Sequence, residues 1–171
     1  MPDEQMQEYW LRGPVPGIPL LLQPVAHAIL QSRWEVNEAL KNFPDELLCE
    51  RPAGVASVGF HLLHMAGVLD RLFTYARGQS LSPQQLDYLG LERNDSAGKS
   101  RDELLTVLGQ QVEKSIVELG GLTESSLLEE RWVGRKKIPS NVLGLLFHAA
   151  EHMQRHTGQL IVTTRILYGK K

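Results

Sequence analysis

The chain has 171 residues, which is enough for one domain with a sizeable core and too few for two ordinary domains. Eighteen basic and twenty acidic residues give a formal net charge of −2, so composition excludes a global positive field that would attract nucleic acid or an anionic membrane. The single cysteine, Cys49, excludes an intramolecular disulfide framework and fits a reducing cytoplasm, and we expect it to be a small buried residue.

The first 19 residues are rich in proline and glycine, so we expect an extended arm there rather than a helix. Tyr9, Trp10 and Ile18 are the apolar side chains that would hold this arm against the domain. Acidic residues and interrupting prolines argue against a signal peptide, and no apolar stretch approaches the roughly 20 residues that span a bilayer. We therefore predict a cytoplasmic protein with no membrane partner, whose bundle domain covers residues 20–171.

Four segments carry apolar residues at helical spacing and together predict an all-α fold. Helix one runs from about Leu20 to Lys41, and helix two from about Ser57, a plausible N-cap, to Ala76. Helix three opens on the capping-box pattern Ser100-Arg101-Asp102-Glu103 and continues to Leu119, and helix four runs from about Ser140 to Leu167. No segment shows sustained alternation of apolar and polar residues between turn signals, so no sheet is expected.

The connection between predicted helices two and three is long and polar. It has about 22 residues, whereas a tight antiparallel hairpin needs only a few. A connection of this length can cross the whole length of a bundle. We therefore predict a four-helix bundle in the order up, down, down, up, with the long crossover between helices two and three.

Predicted helix four carries His148, His152 and His156 at spacings of four residues, which places them along one side of the helix. Two imidazoles one turn apart can bind the same metal ion, because neutral imidazole is a common ligand. The third ligand must come from elsewhere, and predicted helix two, with His61 and His64, is the natural supplier. In an antiparallel pair, His64 at about 10 Å from the start of its helix and His156 at about 16 Å from the end of its own lie at similar depths.

The segment Ser57-Val58-Gly59-Phe60-His61-Leu62-Leu63-His64, followed near the C-terminus by His152-x-x-x-His156-Thr157-Gly158-Gln159, resembles the DinB superfamily of metalloproteins. The resemblance covers nearly the whole chain in the order of its helices. It implies an up-down-down-up bundle that holds a divalent metal with His64, His152 and His156. Many members have Arg where Thr157 stands, a departure that we expect to alter the pocket rim and not the ligand set.

Characterised members of the superfamily include thiol S-transferases that use bacillithiol, mycothiol or glutathione, and a mycothiol-dependent maleylpyruvate isomerase. The resemblance therefore implies a metal-dependent enzyme, a thiol transferase or a hydrolase, that acts on a small molecule. The expected cofactor is a divalent transition metal, Zn or Ni before Fe, with a low-molecular-weight thiol as cosubstrate in the transferase case. The alternative is a metal-binding or stress-associated bundle without turnover, and a purely structural interaction domain comes third.

Other polar residues near the histidine row have more than one interpretation. His61 and His148 are expected to line the pocket or to support the ligands. Ligating imidazoles usually donate their other N–H to a carboxylate or carbonyl, and Glu151 and Asp70 are the candidates, with solvent-facing helix charge as the open alternative. We expect Gly158 to permit close helix packing, and we expect Gln159 either to line the pocket or to connect two helices. No catalytic residue is identified.

The basic residues Arg131, Arg135, Lys136 and Lys137 have only Trp132 beside them and fall in a predicted loop. We therefore expect a solvated loop and no nucleic-acid partner. The sequence also lacks the HExxH pattern of a zinc protease and the paired ExxH motifs of a di-iron bundle. Dimerisation is common in the superfamily, so a homodimer is expected, although the periodicity identifies no interface.

Overall fold

A computed structural model describes residues 7–95 and 98–169. Within these residues the chain forms five α-helices and one short hairpin: α1 (Gln23–Leu40), α2 (Val58–Ala76), α3 (Pro83–Leu91), α4 (Arg101–Gly120), β1 (Glu130–Val133), β2 (Ile138–Asn141) and α5 (Val142–Tyr168). The four long helices α1, α2, α4 and α5 correspond to the four predicted helices. The mostly helical architecture agrees with the all-α prediction, whereas the expectation of no sheet is wrong.

Side-chain caps fix where the long helices begin. Ser57 Oγ accepts a hydrogen bond from the Phe60 N–H at the start of α2, and Asn141 Oδ1 accepts one from the Gly144 N–H at the start of α5. The predicted capping box at residues 100–103 is confirmed at the start of α4. Such caps satisfy N–H groups that have no partner within the helix. They set the residues at which α2 and α5 start, and therefore the turns on which their histidines lie.

The four long helices bury one apolar core. α2 packs against α4 and α5, and α1 packs against α5 and α4, so each long helix has two long neighbours. Among the largest fully buried side chains are Phe43, Phe73, Leu62, Leu69 and Leu108. Burial of apolar stripes from four helices is the main favourable contribution to the stability of such a bundle.

α2 is the most apolar of the helices. Among the described residues, one stretch, Pro52–Ala76, is long and apolar enough to cross a membrane by length and composition alone. Inside the fold, 67% of the most apolar 18-residue segment of this stretch is buried. The core helix of a bundle has this property, because it is covered by neighbouring helices on several sides.

Helix α3 lies in the connection that the sequence predicted to be only polar. Ser82 and Gln85 form a capping box at its start, with Pro83 at the first helical position. None of its nine residues, all within the described part of the chain, is buried, so apolar periodicity gave no signal. A 3₁₀ turn, Glu92–Asn94, follows and brings the chain back to the core, where Glu92 is 2% exposed.

The β1–β2 hairpin was also missed. Its strands pair antiparallel over four residues each. Burial alternates along β1, but the exposed positions include Trp132 and the half-buried ones include Arg131, and Ile138 of β2 is exposed, so the apolar residues do not show the alternation that reveals a strand in sequence. Arg131 Nε donates to the Ala76 carbonyl oxygen at 2.6 Å, which attaches the hairpin and its basic residues to the C-terminal end of α2.

The N-terminal arm follows the prediction only in part. Tyr9–Arg12 forms a 3₁₀ turn instead of an extended chain, and the six residues before position 7 lie outside the described residues. Tyr9 and Ile18 are partly buried against the core, as expected. Trp10 is 63% exposed, so the expectation that it holds the arm is wrong. Cys49, which we expected to be buried, is exposed as well.

Candidate metal centre

Three imidazoles from α2 and α5 meet at one point. His64 Nε2 lies 3.0 Å from His152 Nε2, and His156 Nε2 lies 3.0 Å from the same His152 nitrogen. The ligand atoms of the three residues all lie within 4.8 Å of one another, so the cluster could hold a metal ion. The structure thus brings together the three residues that were predicted as ligands.

The positions of these rings follow from two helical spacings. His152 and His156 are one turn apart on α5, and His61 and His64 are three residues apart on α2, so each pair shares a face of its helix. His61 meets His156, and His64 meets His152. At the site, therefore, α2 and α5 run in opposite directions.

His64 is held on two sides. Its Nδ1 donates a hydrogen bond to Glu92 Oε2 at 2.8 Å, and the Phe60 ring stacks on the imidazole with centroids 5.1 Å apart and planes 12° apart. Because a carboxylate only accepts hydrogen bonds, the proton of His64 lies on Nδ1. In the neutral ring the lone pair then lies on Nε2, which faces the other two rings, as a metal ligand requires.

Glu92 was missed by the sequence analysis, which offered Asp70 for this role. Asp70 instead accepts hydrogen bonds from Gln85 Nε2 at 2.6 Å and from Lys114 Nζ at 3.1 Å, and within the described residues it bonds no histidine. The sequence signal in this region was the capping-box pattern of residues 82–85, which predicts the start of a helix within the connection.

His61 supports the cluster from behind His156. It is 2% exposed, and its Nδ1 lies 2.9 Å from His156 Nδ1. One of these two nitrogens must donate to the other. When the His156 lone pair is on Nε2, its Nδ1–H donates to His61, so His61 can orient His156. This position fits the supporting role expected for His61.

His148 lies outside the cluster. Its side chain is 52% exposed, and its Nδ1 lies 3.2 Å from Glu151 Oε2. Glu151 is also paired with Arg155, whose hydrogen bond holds the pKa of that carboxyl below its usual value. The group His148, Glu151 and His152 is a second set that could hold a metal. It is the weaker set, because it is more exposed and its carboxylate already has a cationic partner.

His61, His152 and His156 are neutral at physiological pH. Burial, with a smaller contribution from the nearby His64 ring, lowers the pKa of His61 and of His152 to about 4 and that of His156 to about 3. Neutral imidazole is the form that binds metals, because a protonated ring has no lone pair to donate. No proton therefore has to be removed from His152 or His156 at pH 7 before a metal binds.

The donor set fits a divalent transition metal. A tetrahedral ion bound at about 2.0–2.1 Å by imidazole nitrogens places those nitrogens about 3.3 Å apart, close to the 3.0 Å separations seen here. The second nitrogen of His152, Nδ1, is buried and has no hydrogen-bond partner among the described residues. No side chain among the described residues therefore holds a proton on His152 Nδ1, whereas His152 Nε2 lies at hydrogen-bond distance from both other rings.

A pocket of about 580 Å³ lies beside His61, and its lining residues include none of the three candidate ligands. Its other lining residues are mainly apolar or amide side chains of α5 and of the segment before α2: Val55, Ala56, Gln154, Arg155, Gly158, Gln159, Val162, Thr163 and Ile166. Gln159 is therefore a pocket residue, one of the two roles expected for it. A pocket of this size and mixed polarity suits a small molecule.

Two expectations about the residues beside the ligands are wrong. A Cβ placed on Gly158 would meet no described atom within 4 Å, so this glycine does not serve close helix packing. Thr157 is fully buried and its hydroxyl lies 3.7 Å from Met65 Sδ, so it belongs to the core and not to the pocket rim.

Comparison with known proteins gives a family and a fold. A family model described as the DinB superfamily matches residues 28–160. A conserved protein from Enterococcus faecalis superposes with a TM-score of 0.69 at 19% identity, over 86% of this chain and 97% of its own. Proteins from Streptococcus pneumoniae (15% identity, 85% and 88% covered) and Clostridium difficile 630 (13%, 85% and 94%) both give 0.63. No curated protein matches.

Proposed function

Because the chain belongs to the DinB superfamily, we propose that it is a divalent-metal-dependent enzyme that acts on a small molecule as a thiol S-transferase or a hydrolase. The proposed ligands are His64, His152 and His156. The observation that carries the proposal is the convergence of their three Nε2 atoms, with the His64 lone pair directed inward by Glu92.

Three protein ligands distinguish a catalytic from a structural site, because a structural zinc site is normally closed by four. When bound, a divalent ion at three imidazoles would lower the pKa of a water or thiol at its remaining positions. The chain's own contribution is to hold the three imidazole rings in place and to provide a pocket. Zn and Ni are the metals proposed first and Fe next, since imidazole suits all three.

The pocket beside His61 is the proposed substrate site. Its apolar wall, formed in part by Val162 and Ile166, would cover the body of a small molecule, while Gln154 and Gln159 offer amide groups to orient it. In the transferase case one of the two reactants is a low-molecular-weight thiol. A small molecule is proposed as the only class of substrate, with neither a nucleic acid nor a membrane as partner.

The proposal includes the up-down-down-up order of α1, α2, α4 and α5. Gln154 Nε2 donates to the Ala28 carbonyl oxygen at 2.8 Å, and the rings of Phe43 and Tyr168 meet at 5.5 Å, which supports a common direction for α1 and α5. Two ion pairs between α2 and α4 support a common direction for that pair. A cytoplasmic location and a homodimer are proposed from the sequence and the family.

Metal-dependent turnover tests the enzyme proposal. Protein purified without an affinity tag is loaded with Zn²⁺ or Ni²⁺ and assayed with low-molecular-weight thiols against a panel of electrophiles, and separately with hydrolysable esters and amides. We expect turnover that disappears in His64→Ala. If the loaded protein binds one metal but shows no metal-dependent turnover in either assay, the protein is a metal-binding bundle without catalytic activity.

A further inference from the structure

We infer that Glu92 is a positioning residue that fixes the tautomer and orientation of His64. We also infer that Gly67, which has no side chain, leaves the space on α2 that the Glu92 carboxylate occupies. The inference rests on the proposed metal site and identifies the residues that orient one of its ligands, His64. Glu92 comes from the 3₁₀ turn after α3, outside the four long helices, and is nevertheless almost fully buried.

Glu92 joins His64 to a buried cation. Oε2 accepts a hydrogen bond from His64 Nδ1 at 2.8 Å, and Arg71 on α2 pairs with both carboxylate oxygens. Arg71 is 9% exposed, so its guanidinium has little access to water and is compensated by Glu92. The carboxylate is therefore held at both ends and cannot easily turn away from His64.

Gly67 gives Glu92 the room that it needs. A Cβ added at Gly67 would overlap Glu92 Oε1 and would lie 2.7 Å from Arg71 Nη1 and 2.8 Å from Tyr88 Cε1, closer than real Cβ atoms approach. Glycine in the interior of a helix is unfavourable relative to alanine. Its presence in the middle of α2 is accounted for by the carboxylate that lies against it.

The segment 92–95 contacts the start of α2 at a second point. Asp95 accepts a hydrogen bond from the hydroxyl of Ser57, the N-cap of α2, and pairs with Arg51 at 3.0 Å. Glu92 and Asp95 thus hold α2 at positions 64 and 57, two turns apart. The connection between α2 and α4 therefore supports the part of α2 that carries the candidate ligand.

The chemical consequence concerns which nitrogen of His64 carries the proton. With Glu92 in place the proton stays on Nδ1, and Nε2 is free to bind a metal. Without it the ring is free to take both tautomers, and the tautomer with Nε2 protonated cannot bind the metal through that atom. Loss of a carboxylate behind a ligating histidine typically costs 10–100-fold in metal affinity.

The test compares Gly67→Ala and Glu92→Gln with a matched control, Gly109→Ala. Gly109 also lies within a helix, α4, and a Cβ there meets no described atom within 4 Å. Zn²⁺ affinity is measured by competition with a chromophoric chelator, and the His64 tautomer is read from ¹⁵N shifts of the metal-free protein. We expect His64 Nδ1–H in the wild type and mixed tautomers in Gly67→Ala and Glu92→Gln. Gly67→Ala and Glu92→Gln should each bind Zn²⁺ about 10–100-fold more weakly than the wild type, whereas the affinity of Gly109→Ala should stay within about twofold of the wild type.

Two results would overturn the inference: a wild-type His64 protonated at Nε2, or a Gly67→Ala protein that matches Gly109→Ala in both measurements. If Glu92→Gln fails to fold because Arg71 is left unpaired, Gly67→Ala and the wild-type tautomer decide. If the wild type binds no Zn²⁺, the proposed function fails, but the tautomer of the metal-free protein still tests the role of Glu92.

Discussion

His61 Nδ1 lies 2.9 Å from His156 Nδ1, and His61 is almost completely buried between α2 and α5. His156 has no such contact with His148, which is two turns away on the same helix and half exposed. Of His61 and His148, His61 is therefore the one whose loss should weaken metal binding.

We expect His61→Ala to weaken Zn²⁺ binding by about 10-fold or more, because His156 Nδ1–H then lacks its acceptor. His61→Gln should recover part of the loss, since its amide oxygen can accept the same hydrogen bond. Isothermal titration calorimetry of the two variants measures the effect. Equal affinity of His61→Ala and the wild type would show that His61 serves packing alone.

The ligand set predicts how strongly the loss of each of the three histidines on α5 weakens metal binding. His152→Ala and His156→Ala should each abolish tight binding, because either change removes one of the three imidazole ligands. His148→Ala should keep it, since His148 pairs with Glu151 outside the cluster. Chelator competition on the three variants gives the comparison. Equal losses in all three would mean that the wrong residues of the row have been chosen.

Metal binding should stabilise the fold, because the three ligands come from two helices and converge only in the native state. Free Zn²⁺ at 100 times its dissociation constant adds about 2.7 kcal/mol to the free energy of unfolding, or about 5–10 °C in Tm for a chain of this size. Thermal unfolding with and without a chelator measures the shift. His152→Ala is the control, and a shift of equal size in that variant would point to binding elsewhere.

Stability of the metal-free protein should fall as the pH is lowered from about 6.5 towards 4. The pKa values of His61, His152 and His156 lie at about 3 to 4 in the folded state, below the ordinary 6.5 that applies when the chain unfolds. In this window the unfolded chain binds more protons, so acidification favours unfolding. The histidine contribution is fully present above about pH 6.5 and is lost through the window down to the folded pKa values.

The size of this loss is reduced by solvent screening of the partly exposed rings, and we expect a fall in Tm of the order of 10 °C between pH 7 and 4.5. Differential scanning calorimetry across that range measures it. His156→Asn should show a shallower dependence, because it lacks one of the three groups. A flat Tm in the wild type over this interval would contradict the neutral, buried cluster.

The long helices could be predicted because each has a buried apolar stripe and a recognisable start, such as Ser57 before α2. α3 and the hairpin could not be predicted, because neither has a buried apolar stripe. α3 has no buried residue among those described, and in the hairpin Trp132 and Ile138 face solvent while Arg131 is half-buried, so the apolar residues of these elements follow no pattern of burial.

The candidate ligands could be found because four-residue spacing and the helix-two histidine are visible in sequence. Their supporting residues could not. Glu92 is 28 positions from His64, and its contact depends on the turn after α3 and on the space beside Gly67. Whether Asp70 or Glu92 meets His64 is decided by the rotation of α2 about its axis and by the path of the connection, neither of which leaves a local pattern.

Anomalous diffraction from crystals of the tag-free protein grown with Zn²⁺, with data collected just above and below the Zn absorption edge, tests the metal centre most directly. We predict one strong site per chain, about 2.0–2.1 Å from Nε2 of His64, His152 and His156. The absence of any such peak, or a peak bound instead by His148, Glu151 and His152, would contradict it.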